Sequence, residues 1–218
     1  RVVEACGVDI EWEIAEAGAH MMDSCGTPLP EATIEAVRRN KVAIKGPITT
    51  PVGTGFRSVN VALRKTLNLN VCLRPVLSVP GAGGRYQDVD LVIVRENSED
   101  LYAGIEFEEG SKEAAELIEF CKQHDAGTIR SDSGISIKPS QNIVRYAFDY
   151  AVKHGRKKVT AAHKANIMKH SDGLFLRTAR EVAADYEGSI EFNDNIIDAF
   201  CMNLVMDPSQ FDVIVFPN

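Results

Sequence analysis

The chain has 218 residues, 44% of them hydrophobic and 25% charged, which excludes disordered, collagen-like and coiled-coil proteins. At roughly 150 residues per domain, this length makes one large domain or two small ones. The formal net charge of −7 argues against bulk nucleic-acid binding, yet leaves room for a local basic pocket that takes an anionic metabolite. No apolar run approaches the ~18 residues of a membrane span. The five cysteines, Cys6, Cys25, Cys72, Cys121 and Cys201, are odd in number and widely spaced, with no CxxC. They read as reduced, mostly buried thiols of a cytosolic protein, not as a disulfide framework or a metal knuckle. The text opens at Arg1 in mid-phrase and stops at a strand exit. Both ends are therefore expected to be cut from a longer protein.

In chain order, Val8–Ala15 alternates Ile10, Trp12 and Ile14 on one side and predicts a strand. Pro30 opens an amphipathic helix with Ile34 and Val37 inward. Lys41–Lys45 predicts a short strand, ended by Gly46-Pro47. Ile48–Phe56 holds three Thr, a Pro and two Gly, a loop composition. Arg57–Leu67 predicts a helix whose buried face is Val59, Ala62, Leu63 and Leu67. Val71–Leu73 and Val89–Val94 are apolar runs that predict buried strands, with a loop at Pro80–Gly84 between them. Residues 100–136 change character. They carry acidic Glu106, Glu108 and Glu109, a helical pattern at Lys112–Lys122 and strand-like pieces over Thr128–Ile137, and are expected to form an insertion or arm. From Pro139 onward helices and strands alternate: helix Asn142–Lys153, strand Lys158–His163, helix Asp172–Tyr186, strand Ser189–Asn193, helix Ile196–Val205, strand Asp212–Phe216. That alternation predicts an α/β sheet covered on both faces.

The chemistry concentrates in a few places. A Thr/Gly loop leads into a helix start that carries Ser58 and Asn60, where free N–H groups and the helix dipole attract an anion. Asn60 and Arg64 are four apart and share a helix face. Arg74 is expected just past one buried strand and Arg95 at the end of another, placed to converge on a crevice. Several guanidinium forks suit a substrate with several carboxylates, although surface pairing of each Arg is the plainer alternative. Tyr102 sits in the polar loop after Arg95 and can serve as a general acid or base, or simply pack with its hydroxyl bonded. Lys164 follows a buried strand and can act as a base, or be a solvated member of the basic stretch Arg156–Lys169. Asp194 or Asp198, at a strand-to-helix junction, can ligate a hard cation or serve as helix N-terminal charge. His20, His124, His154 and His170 form no ligand-spaced pair. No P-loop or G-x-G-x-x-G is present.

Five ordered blocks, TTPVGTGFRSVNVALR, LRP, VIVRENSEDLYAGIE, HKANIMKHSDGLF and FDVIVFPN, resemble the isocitrate dehydrogenases of the β-decarboxylating dehydrogenase family. The resemblance spans nearly the whole chain. It implies that family's α/β fold: 1–69 in a large domain, 70–99 and 137–218 in a small dimer-forming domain, and 100–136 in a clasp between subunits. It implies oxidative decarboxylation of isocitrate to 2-oxoglutarate with Mg2+ or Mn2+ and NAD or NADP, NAD being slightly favoured. On matching positions it implies that Ser58, Asn60, Arg64, Arg74 and Arg95 bind the substrate carboxylates. Tyr102 would protonate the product enol carbon. Lys164 would assist loss of the hydroxyl proton, and Asp198 would ligate the metal, both in the partner subunit's site. Thr49 and Asn166 would lie near the nicotinamide. The implied assembly is a homodimer with shared active sites, cytoplasmic or, in a eukaryote, in the mitochondrial matrix, with no nucleic-acid or membrane partner.

By this resemblance, the Gly-rich GDGIG turn before Arg1 is missing, as are the GDxxSD metal segment and the His-Gly-Ser-Ala-Pro-like cofactor loop after Asn218. The 218 residues are thus expected to hold most of the substrate site and little of the cofactor site, so the fragment alone is expected to be inactive. The Ser58-x-Asn60 pair and the RENSEDLYAGIE wording resemble the isocitrate branch. A homoisocitrate or related 3-substituted malate dehydrogenase is the alternative within the family. A non-catalytic regulatory subunit is the alternative outside enzymes, and the presence of Tyr102, Lys164 and Asp198 argues against it.

Overall fold

A computed structural model describes residues 2–49, 58–99, 110–123 and 137–218. The chain divides into two compact units, residues 1–69 and 70–218.

The first unit contains helices α1 (Val2–Ala5), α2 (Met21–Cys25), α3 (Glu31–Asn40) and α4 (Val59–Thr66). α3 begins at Pro30, whose missing N–H costs nothing at a helix start, and buries Thr33, Ile34 and Ala36. It ends at Lys41, which turns left-handed (φ 61°) and returns its N–H to the Val37 carbonyl. α4 buries Val59, with Ala62, Leu63 and Leu67 half-buried beside it. Two expected strands do not form. Val8–Ala15 and Lys41–Lys45 are irregular, with Ile14 87%, Val42 80% and Ile44 71% exposed. The physical reason is pairing. Alternation makes a strand only when a neighbour takes its backbone groups, and no strand exists among the described residues of this unit. A side-chain bond, from the Thr33 hydroxyl to the Glu16 carbonyl (2.6 Å), ties the segment before α2 to α3 instead.

The second unit is built on one five-stranded sheet. Its elements are β1 (Val71–Leu77), β2 (Asp90–Glu96), α5 (Lys112–Gln123), α6 (Ile137–Lys153), β3 (Lys158–His163), α7 (Ser171–Ala184), β4 (Glu191–Ile196), α8 (Ile197–Met206), a 3-10 turn (Pro208–Gln210) and β5 (Val213–Phe216). The strand order is β1-β2-β5-β3-β4, with β1 antiparallel at the edge and the other four parallel. Parallel strands need cover on both faces, and the side chains sort accordingly. Val92, Val94, Val159, Ala161, Val213 and Val215 meet Phe148 of α6 and Phe175 of α7 on one face. Leu91, Ile93, Ala162 and Ile214 meet Phe200 of α8 and Phe211 on the other.

Boundaries moved where local turns compete with the ladder. β1 runs on through Arg74 and Pro75 to Leu77, so Arg74 lies within a strand and not past its end. Pro75 is accepted because β1 is an edge strand. α6 begins at Ile137, with Pro139 in its first turn, where no intrahelical bond is lost. β4 starts two residues later than expected because Ser189 and Ile190 both donate their N–H to the Tyr186 carbonyl, beside Gly188 at φ 80°. The insertion expected at 100–136 lies outside the described residues except for 110–123, which include α5. No helix among the described residues is long and apolar enough to cross a membrane.

Candidate functional site

In the first unit, Ser58 stands at the N-cap of α4 without spending its side chain on the cap. Asn60 and Arg64 follow on one face, both half-buried. The Asn60 Oδ1 is buried and has no hydrogen-bond partner among the described residues. A helix start, a hydroxyl not used as its cap and an arginine further along the same helix are chemistry for an anion. Thr49 is exposed at the end of a described segment.

In the second unit, residues gather at the edge where the parallel strands end. In an α/β sheet, ligands bind outside that carboxyl edge. Arg95 is the penultimate residue of β2 and shares the α8 face with Leu91 and Ile93, by strand alternation. Arg74 pairs with Ile93 across the antiparallel ladder, and Arg95 pairs with Cys72, so the two arginines are diagonal neighbours on that same face. Arg95 donates from Nη2 to the Asn97 Oδ1 (3.0 Å), while its buried Nε has no partner among the described residues. An unmet guanidinium N–H beside a fixed one is a ready carboxylate donor. The Glu96 carboxylate is used internally, accepting the N–H groups of Ser98 and Glu99, both at 2.9 Å.

Two strands away, β3 ends at His163, and Lys164 pairs with Asp198 in the first turn of α8. The Lys164 side chain is 30% exposed and that of Asp198 is 70% exposed. Asp194 is different. Its Oδ1 accepts from Arg180 (2.9 Å) and its Oδ2 contacts His163 Nε2 (3.2 Å). Burial pushes the Asp194 carboxyl upward, but the hydrogen bonds from Arg180 and His163, together with the Arg180 charge, outweigh it and hold the group below the usual carboxylate range. Both Asp194 oxygens already have a partner, so of the two aspartates Asp198, with its side chain 70% exposed, is the more open to a hard cation. Asn166 is exposed in the turn after Lys164. Tyr102 lies outside the described residues.

Mg2+ or Mn2+ fits Asp198 in ligand type, but among the described residues no cluster of three His, Cys, Asp or Glu side chains stands ready for a metal. Three side chains at this edge make contacts with the candidate residues that sequence reasoning left unassigned. Asn97 accepts from Arg95 (3.0 Å), Asp172 accepts the Lys164 N–H (2.6 Å), and His163 accepts the Ala165 N–H (3.0 Å). Their signal was position alone, beside motif residues in RENSED and HKANIMKHSDG.

The pattern of the isocitrate/isopropylmalate dehydrogenase family matches residues 1–218. The chain belongs to that family. Over its whole length it is 45% identical to a mitochondrial regulatory subunit of NAD isocitrate dehydrogenase from Dictyostelium discoideum, and covers 55% of that protein. It is 44% identical over its whole length to mitochondrial catalytic subunit 5 of NAD isocitrate dehydrogenase from Arabidopsis thaliana, and covers 54% of it. The crystal structure of isocitrate dehydrogenase from Methylococcus capsulatus superposes with a TM-score of 0.86 at 47% identity, covering all of this chain and 60% of that one. The chain therefore spans about half the length of the curated relatives it matches, and is a fragment relative to them.

Proposed function

We propose that the full-length protein is an isocitrate dehydrogenase, converting isocitrate to 2-oxoglutarate by oxidation and decarboxylation. The observation that carries this is the Lys164–Asp198 pair at the carboxyl edge of the sheet, on the sheet that also carries Arg74 and Arg95. NAD or NADP and Mg2+ or Mn2+, when bound, supply the hydride acceptor and the Lewis acid. Asp198 would contribute one oxygen to the metal, with Thr49 and Asn166 beside the nicotinamide. The chain's own residues bind, orient and move protons. Ser58, Asn60 and Arg64 form one anion-binding group, and Arg74 and Arg95 a second. Guanidinium pairs fix carboxylates in orientation as well as in charge. Lys164 accepts the proton leaving the substrate hydroxyl, and Tyr102 returns a proton to carbon after carbon dioxide has left.

In this reading residues 1–69 are part of a large domain, 70–99 and 137–218 form a small dimer-forming domain, and 100–136 form a clasp. The assembly is a dimer in which Lys164 and Asp198 serve the partner's site. The mitochondrial names of both curated relatives support the matrix over the cytoplasm. A regulatory role is the second reading, because a regulatory relative is as similar as a catalytic one. The retention of Tyr102, Lys164 and Asp198 supports the catalytic one.

The test is a substrate panel on the purified full-length protein. Isocitrate, homoisocitrate and isopropylmalate are each offered with Mg2+ and with NAD or NADP. The expected result is turnover of isocitrate well above the other two acids. Preference for another acid would move the substrate, and no turnover alone but stimulation of a catalytic partner would establish the regulatory reading.

A further inference from the structure

At the end of β3 the ladder stops with His163 opposite Ile196. The next backbone N–H groups, of Lys164 and Ala165, therefore lose their sheet partners, and groups this close to the core must be satisfied some other way. Each is met by a buried side chain. The Asp172 carboxylate takes the Lys164 N–H at 2.6 Å, and His163 Nδ1 takes the Ala165 N–H at 3.0 Å. Asp172 and His163 are each 5% exposed. The Lys164 carbonyl is also engaged, accepting from Ile167 (3.0 Å) and Met168 (2.8 Å). Both peptide units flanking Lys164 are thus fixed. From this fixed base the side chain reaches out to Asp198.

The His163 ring is oriented as well. Nδ1 accepts from a backbone N–H, so the ring proton sits on Nε2 and is donated to Asp194 (3.2 Å). Asp194 is in turn bound by Arg180 of α7 (2.9 Å). The ring cannot turn over without giving up both contacts.

We propose that His163 and Asp172 are positioning residues that clamp the backbone at Lys164 and so aim its amine for proton transfer. The inference rests on the catalytic role of Lys164 proposed above. A flexible lysine on a loose turn would spend most of its time away from the reacting atom, and about 1 Å of misplacement can cost roughly 10²-fold in rate. The clamp holds the base of the side chain while leaving its tip free to exchange Asp198 for substrate.

The test uses the full-length enzyme and a pair of His163 variants. His163→Asn keeps an acceptor near the Nδ1 position and is expected to retain kcat within about three-fold. His163→Gln moves the amide toward Nε2, loses the Ala165 bond, and is expected to lower kcat by about 10–100-fold with the isocitrate KM and the melting temperature little changed. Hydrogen exchange of the wild-type enzyme gives a second measure that needs no variant. The Lys164 and Ala165 amides are expected to exchange slowly, like those of β3. Rapid exchange there, or His163→Gln at wild-type kcat, would overturn the clamp. Lys164→Met separates the two ideas. If it retains full turnover, the catalytic reading of Lys164 fails and the clamp's purpose with it. If it is inactive while His163→Gln is normal, only the clamp fails.

Discussion

The two edges of the second unit's sheet carry similar kinds of charged groups and use them in opposite ways. At the edge where the parallel strands begin, Arg156 bridges Asp90 of β2 (2.5 Å) and Asp212 before β5 (3.1 Å). Asp212 also accepts the N–H groups of Lys157 (2.7 Å) and Lys158 (3.3 Å) as the chain enters β3. The charges there meet one another and lock three strands together. At the edge where the strands end, Arg95 keeps an Nε without a partner among the described residues, and the Asp198 side chain is 70% exposed. Hydrogen bonds closed on themselves hold a fold, whereas a surplus of donors and acceptors leaves something for a ligand to complete. Here that difference separates a structural edge from the edge proposed to be functional.

Substitutions at the two edges should therefore separate activity from stability. The largest expected effect is on turnover. In the full-length protein, on the proposed function, Tyr102→Phe is expected to lower kcat by about 10²–10⁴-fold, the usual contribution of a positioned acid or base, with isocitrate binding retained in calorimetry. Lost binding with turnover intact at saturation would refute the assigned role. In stability, Phe148→Ala should cost about 3–5 kcal/mol, because the ring is fully buried between α6 and the sheet. Denaturant unfolding measures it, and a cost under about 1 kcal/mol would mean that the core collapses around the lost ring. Next comes Asp212→Ala, which strips the partner from two backbone N–H groups and one arm of Arg156. It is expected to cost about 1–3 kcal/mol while leaving kcat unchanged.

The smallest effect concerns pH. The folded state holds Asp194 below its ordinary pKa, so the stability from its ionised form is complete above the unfolded value of about 3.9 and is lost as the pH falls through the folded value. Asp194→Asn is expected to flatten that part of the acid limb of the unfolding curve. An unchanged slope would show that Arg180 and His163 do not favour the charged form.

The sheet was legible because β5 and the middle of β2 are continuous apolar runs, and β3 is broken only by Thr160 between Val159 and Ala162, which is how strands buried on both faces read. The first unit was less so. Val8–Ala15 and Lys41–Lys45 alternate as strands do, but alternation reports a face and not a partner. The position of β4 was hidden by the turn at Tyr186, which consumes two residues that propensity assigns to the strand. Among the candidate residues, Lys164, Asp198 and Arg95 stood out by charge next to apolar runs. Their supports did not. Asp172 reaches the Lys164 N–H across 8 residues of sequence and His163 reaches Asp194 across 31, contacts made by chain folding and invisible to spacing.

The most direct test of the whole account mixes two inactive subunits. Tyr102 and Lys164 are assigned to the same reaction but to different chains. Full-length Tyr102→Phe and Lys164→Met proteins, each inactive alone, should form a heterodimer in which one of the two sites has both groups. That heterodimer is expected to recover up to about half of wild-type isocitrate turnover. A verified heterodimer with no recovered activity would contradict a site shared across the subunits.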